Sequence, residues 1–128
     1  MHRFMLKSKI HRARLTGTEL NYEGSISVDA ELLERANMFP GEQVHVLNVS
    51  NGARFVTYAI EAPRGSGSVV LNGAAALLGK IGNELIILSY CGLEDNEARG
   101  FRPSIVILEG QNRVPENKTG VLAMNGGI

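Results

Sequence analysis

Cysteine occurs once in the 128 residues of this chain, at Cys91. That excludes an internal disulfide and a cysteine-based zinc site, and it fits a reducing compartment. Aromatics are few: four phenylalanines, three tyrosines and no tryptophan. None is spaced as a series on which bases could stack. Charge of either sign is not in excess, since thirteen Lys and Arg face thirteen Asp and Glu for a formal net charge of zero. A whole-chain basic footprint for nucleic acid is therefore missing. No run approaches the ~18 apolar residues that a membrane helix requires. The opening MHRFMLKSKIHRARL is broken by charges and lacks the apolar stretch of a secretory signal. These absences leave a cytoplasmic single domain as the expectation. With 44% hydrophobic and 20% charged residues it has the composition of a globular protein. A chain of this size buries roughly two-thirds of its unfolded surface.

What is present is mostly strand signal. Near the start, Phe4, Leu6, Ser8 and Ile10 alternate with Arg3, Met5, Lys7, Lys9 and His11, which predicts a two-faced strand. A second short strand is expected over 14–16. Residues 20–28, LNYEGSISV, read as an extended stretch interrupted by Gly24. Asp29 is placed to cap a short helix, AELLERA, with Val28 and Leu33 as its hydrophobic staple. Phe39-Pro40-Gly41-Glu42 predicts a turn. Two β-rich runs, QVHVLNVS and ARFVTYAI, flank Asn51-Gly52, the dipeptide of type I′ hairpins in which both central residues take positive φ. On the returning strand Arg54, Val56, Tyr58 and Ile60 share one face; Phe55, Thr57 and Ala59 share the other.

Further on, EAPRGSGS reads as a loop and 69–71 as a short strand, with Asn72 capping a short helix through Gly73 and Ala74–Ala76. ELIILSYC is a nearly continuous apolar run, suited to a strand buried on both faces. A Gly- and acid-rich loop then leads to the last strand, SIVILEG. The domain is expected over 1–110, followed by a polar, aperiodic, flexible tail over 111–128. Roughly six to eight short strands with two minor helices predict a mainly β fold, a small barrel.

The common catalytic patterns are weak. His2, His11 and His45 have no helical i, i+4 partner, so the spacing does not support a metal site. NGAAA and RGSGS match neither dinucleotide-binding nor phosphate-binding loops. A different signal emerges from the ordered set MLKSKIHRARLT, LNYEGSI, NVSNGARFVTYAI, RGSG, LNGAAA and IILSY. In this order and spacing, over residues 1 to about 109, the chain resembles the bacterial aspartate 1-decarboxylase family. No one piece is specific; the ordered set is. The resemblance implies a double-psi β-barrel with short helices and a homotetramer. It also implies a covalently bound pyruvoyl cofactor made by self-cleavage between Gly24 and Ser25, with neither metal nor pyridoxal phosphate. The implied reaction converts L-aspartate to β-alanine and CO2 through a Schiff base, for pantothenate and coenzyme A synthesis.

The chemistry of Tyr22-Glu23-Gly24-Ser25 agrees with that. Decarboxylation at an α-carbon leaves a carbanion that needs an electron sink. Serine becomes one if its hydroxyl attacks the preceding carbonyl and elimination then leaves a ketone. Gly24 is the residue that would tolerate the strained, closely approached peptide. Taken alone, Gly24-Ser25 reads as a turn or bulge. In the family Thr57 assists cleavage and Tyr58 donates a proton. A phenol, with an unperturbed pKa of about 10, is protonated at neutral pH and can do so. Tyr58 as plain core packing is the alternative. Arg54, about 13 Å along the strand from Tyr58, carries a planar guanidinium suited to a substrate carboxylate, or else is a solvated hairpin arginine. Lys9 is the second candidate cation. Asn72, Gly73, Ala74 and Ala75 resemble the family's substrate loop, where small residues let backbone N–H groups approach an anion. Leu47 departs from the family, standing where relatives carry a large aromatic.

Two other readings remain open at this point. Lys7, Lys9, Arg12 and Arg14 could form a local nucleic-acid patch on a binding barrel. The chain could also be an uncleaved relative that keeps the fold as a structural subunit.

Overall fold

The computed structural model describes residues 1–115; residues 116–128, most of the expected tail, lie outside the described residues. Eight strands are formed: β1 His2–Arg14, β2 Gly17–Glu19, β3 Ser25–Asp29, β4 Gln43–Asn48, β5 Arg54–Ala62, β6 Val69–Asn72, β7 Glu84–Glu94 and β8 Ser104–Ile107. Two short helices, α1 Ala30–Arg35 and α2 Asp95–Gly100, and a 3-10 helix Gly73–Leu78 accompany them. The hydrogen-bonded order is β2-β6-β3-β5-β4-β7-β1-β8. Pairings β1–β8, β2–β6 and β3–β5 are parallel and the others antiparallel. The sheet closes on itself where β1 ends. Thr16 N–H donates to the Val69 carbonyl at 2.8 Å, and the Asn112 side chain joins Arg14 to Gly67. The result is the mainly β barrel with short helices that the strand pattern predicts.

Period-two alternation fills the barrel. Ile26 and Val28, Val44 and Val46, and Leu85 and Ile87 each send every second side chain into one fully buried core, joined by Ile10, Ala59 and Leu71. Each such aliphatic contributes roughly 1.5–3 kcal/mol by leaving water. On β7, Ile87 and Leu88 are both buried although they face opposite ways, as the continuous apolar run requires.

Asp29 caps α1 as expected, accepting the Glu31 N–H at 2.9 Å. It does more than that. Its carboxylate also accepts the N–H groups of Gly65 at 3.0 Å and Gly67 at 2.9 Å, so the RGSG loop wraps a buried carboxylate.

Several local expectations are corrected. Bulges between Leu6 and Ser8 and between Ile10 and Ala13 break the alternation in β1, leaving Phe4 83% exposed while Ser8 and Ile10 are buried. β1 itself runs to Arg14, and the next strand is Gly17–Glu19 rather than 14–16. The β4–β5 connection is not a two-residue type I′ turn. Asn48 N–H donates to the Ala53 carbonyl and Gly52 N–H to that of Asn48, which makes a four-residue loop. Gly52 takes positive φ and Asn51 does not. Asn51 instead uses its side chain, accepting from Ala53 N–H. The loop expected before β8 contains α2, whose Glu94 and Glu97 form a reciprocal capping box. After β8, Glu109 and Arg113 bridge, and Asn112 is 4% exposed with its amide fully used.

Candidate active site

Three neighbouring strands assemble the site. Ser25 opens β3 and lies opposite Asn72 at the end of β6, while Ile26 lies beside Ala59 of β5. Ile26, Leu71 and Ala59 point into the barrel and are wholly buried, so Ser25, Asn72 and Tyr58 share the outer face of these strands. Ser25 is nonetheless 0% exposed. Its Oγ donates to the Glu23 carbonyl at 2.9 Å and accepts from Asn72 Nδ2 at 3.1 Å. The same amide donates to Ser27 Oγ at 2.8 Å. Asn72 therefore stands at the start of the 3-10 helix without capping it, because its side chain serves the two serines.

Gly73 holds the lid of this arrangement. It takes φ +66°, and a Cβ there would lie 2.7 Å from Gly24 N and 2.8 Å from both Gly24 Cα and the Tyr22 carbonyl. The conformational freedom assigned to Gly24 from sequence is thus needed at Gly73. Gly24 has no positive φ, and a Cβ on it would meet nothing within 4 Å.

Beside the serine, Gly24, Thr57, Tyr58, Ala74 and Ala75, with Phe55, Val56 and Leu78, line an open cavity of about 420 Å³. Tyr58 Oη donates to Glu23 Oε2 at 3.1 Å. That hydrogen bond, with a smaller contribution from burial, holds the phenol above its usual pKa range. A larger cavity of about 820 Å³, bordered by Asp29, Arg35, Gly67 and Arg113, contains none of the expected site residues.

Of the residues expected from sequence, Gly24, Ser25, Thr57, Tyr58, Asn72, Gly73, Ala74 and Ala75 come together. Lys9 and Arg54 do not line the cavity. Lys9 lies opposite Leu88 on β7, and β1 is three ladder steps from β5, about 14 Å at the usual strand spacing. Arg54 is exposed at the hairpin end of β5, opposite Leu47. Sequence reasoning missed Glu23 and Ser27, the hydrogen-bond partners of Tyr58 and Asn72. An acidic residue next to Gly24-Ser25 was the available sign for Glu23; Ser27 had none before strand pairing was known. In the basic patch, Lys7 is ion-paired with Glu42 at 3.0 Å and Arg14 donates to the Gly82 carbonyl at 2.8 Å. Among the described residues no group of three or more His, Cys, Asp or Glu is arranged to hold a metal ion.

Fold and site together define a class: a small mixed β-barrel that carries a buried, doubly hydrogen-bonded serine at the start of one strand, with a phenol on the neighbouring strand. The chain belongs to the aspartate decarboxylase family, which it matches over residues 1–115. It is 51% identical over 113 residues to the aspartate 1-decarboxylase of Thermoanaerobacter pseudethanolicus, covering 88% of this chain and 97% of the relative. It is 53% identical over 116 residues to that of Pelotomaculum thermopropionicum, covering 91% and 88%. Among solved structures it is similar to the rationally designed mkDPBB_sym_86 protein, with TM-score 0.46 and 19% identity, covering 60% of this chain and 90% of that one.

Proposed function

We propose that this chain cuts itself between Gly24 and Ser25 and then decarboxylates L-aspartate to β-alanine and CO2, the reaction that feeds pantothenate synthesis. The observation that carries this is the Ser25 hydroxyl, 0% exposed and gripped by the Glu23 carbonyl and the Asn72 amide. A buried hydroxyl so held is shielded from outside reagents, and its covalent neighbour, the Gly24 carbonyl carbon, is the electrophile at hand.

The cleavage balances as follows. Ser25 Oγ bonds to the Gly24 carbonyl carbon, the C–N bond breaks, and the hydroxyl proton passes to the nitrogen. Loss of the Ser25 α-proton then expels Gly24 as a carboxylate that keeps the serine oxygen. Water replaces the remaining nitrogen, which leaves as ammonia, and residue 25 ends as a ketone. Asn72 already donates to the oxygen that departs, so its amide meets the negative charge as it forms. Thr57 lines the cavity with Gly24, and its hydroxyl is the one we assign to steadying the Gly24 carbonyl oxygen during attack.

The residues around position 25 would fit a pyruvoyl group: the Asn72 amide, which already donates to the Ser25 side chain, is a donor that could hold a ketone oxygen there. Such a group would supply the electron sink that decarboxylation needs. Tyr58, a phenol with an unperturbed pKa of about 10 and so protonated at neutral pH, supplies a proton to the α-carbon. Ala74 and Ala75 keep the cavity wall low enough for a small dicarboxylate.

The cavity has no Lys or Arg among its lining residues, yet the substrate carries two carboxylates. Lys9 and Arg54 share the outer sheet face with Tyr58, and a neighbouring copy in a homotetramer can bring its own pair to the opening. We expect cytoplasmic, tetrameric protein in which Arg54 holds the carboxylate that stays. Mixing Ser25→Ala chains with Arg54→Ala chains should restore activity that neither has alone.

Denaturing intact mass tests the whole reading. Active protein should separate into fragments 1–24 and 25–128, the larger blocked to Edman degradation. Ser25→Ala should remain one inactive chain. An uncleaved preparation that decarboxylates aspartate would overturn the mechanism.

A further inference from the structure

Glu23 has two contacts that pull in different directions. Its backbone carbonyl accepts the Ser25 hydroxyl at 2.9 Å, and its side-chain carboxylate accepts the Tyr58 hydroxyl at 3.1 Å. The group that is to protonate the substrate therefore points its hydrogen at a residue of the scissile loop. In that state the phenol proton is committed to Glu23 and is turned away from any substrate. We propose that Glu23 is a latch on Tyr58 that acts only in the uncleaved chain and is released by cleavage.

Release follows from what cleavage removes. Glu23 becomes the penultimate residue of fragment 1–24, no longer tied through Gly24 to β3. The Ser25 hydroxyl that held its carbonyl leaves with Gly24 as a carboxylate oxygen. A new negative charge then sits one residue from the Glu23 carboxylate, and like charges so close repel. What remains is one hydrogen bond at an exposed residue, competing with water. The loop's close packing against Gly73 was imposed by a continuous chain, and a chain end is free to leave it. The fold thereby couples availability of the donor to completion of the electron sink. This inference rests on the self-cleavage reading above.

Tyrosine labelled with ¹³C at Cζ reads the latch directly, since the chain has only Tyr22, Tyr58 and Tyr90 and a Tyr58→Phe sample assigns the resonance. In uncleavable Ser25→Ala protein, Tyr58 should titrate above the usual phenol value, and adding Glu23→Gln should bring it down. In the fully cleaved parent, Tyr58 should titrate lower than in Ser25→Ala, and Glu23→Gln should change it no further. Turnover of cleaved Glu23→Gln, per ketone-bearing chain, should stay within about twofold of the parent. Two fragments by mass with an unmoved Tyr58 titration would overturn the latch while leaving self-cleavage standing. A single intact mass in active protein would overturn both. A tenfold loss of turnover in cleaved Glu23→Gln would show that the role of Glu23 continues after cleavage and would equally refute the proposal.

Discussion

Substituting Gly73 by alanine tests whether the close backbone approach of the Tyr22–Gly24 segment is built by this glycine. An alanine at φ +66° meets a left-handed penalty of about 1–2 kcal/mol. Its Cβ would also sit 2.7 Å from Gly24 N and 2.8 Å from the Tyr22 carbonyl, both backbone atoms that cannot swing aside. Forcing such overlap in a packed region costs a further 1–3 kcal/mol, roughly. The total is about 2–5 kcal/mol, or roughly 6–25 °C in melting temperature for a chain of this size. Gly24→Ala is the control: its Cβ meets nothing within 4 Å, so less than about 1 kcal/mol is expected. Both substitutions belong in the Ser25→Ala background, where cleavage cannot intervene, with melts run at one protein concentration. In cleavable protein, Gly73→Ala should slow fragment formation at least about tenfold, which requires only about 1.4 kcal/mol at the transition state. Equal melting of the Gly73→Ala and Gly24→Ala proteins, or normal cleavage by the former, would refute the claim that Gly73 sets the loop.

Tyr58→Phe keeps the ring and removes the donor, so cleavage should proceed while turnover falls about 10²- to 10⁴-fold in a steady-state assay. Asp29→Ala leaves three backbone N–H groups without their shared carboxylate and should cost about 3 kcal/mol or more in urea unfolding, with Asp29→Asn recovering part. Burial pushes the Glu42 carboxyl up, but the Phe39 N–H and Lys7 hold it below its ordinary value. A depressed folded pKa gives stability that is full above the unfolded value of about 4.3 and is lost as pH falls through the folded one. Glu42→Gln should therefore flatten the acid limb of stability below that value; unchanged acid dependence would show the Lys7 pairing to be inert.

Much of this molecule was legible in the sequence, and the reason is local. Alternation at Val44 and Val46 or Leu85 and Ile87 is set by the two-residue period of a strand, and Asp29 before AELLER follows from the unsatisfied N–H groups at a helix start. Glu94 and Glu97 were equally local, and their spacing was a capping box that passed as loop. The ordered motifs also pointed to Ser25, Thr57, Tyr58 and Asn72 as one site, and the strand pairing does place them together. Contacts between residues distant in sequence were another matter. That Asn72 serves Ser25 and Ser27, 47 and 45 residues away, follows only from the register of β3 on β6. That Glu23 grips Tyr58 needs the parallel pairing of β3 with β5. Gly73 rather than Gly24 carries the backbone requirement because a steric demand is fixed by what lies opposite, here the Tyr22–Gly24 segment. Lys9 and Arg54 mark the same boundary: residue type announced two cations for a dicarboxylate, whereas three ladder steps of sheet keep Lys9 from reaching the cavity within one chain. Sequence by itself determined which residues could do the chemistry, since periodicity, caps and side-chain type are properties of short segments. Tertiary structure alone decided which of them meet, because register and closure are global and one residue of slip would turn Ser25 into the barrel.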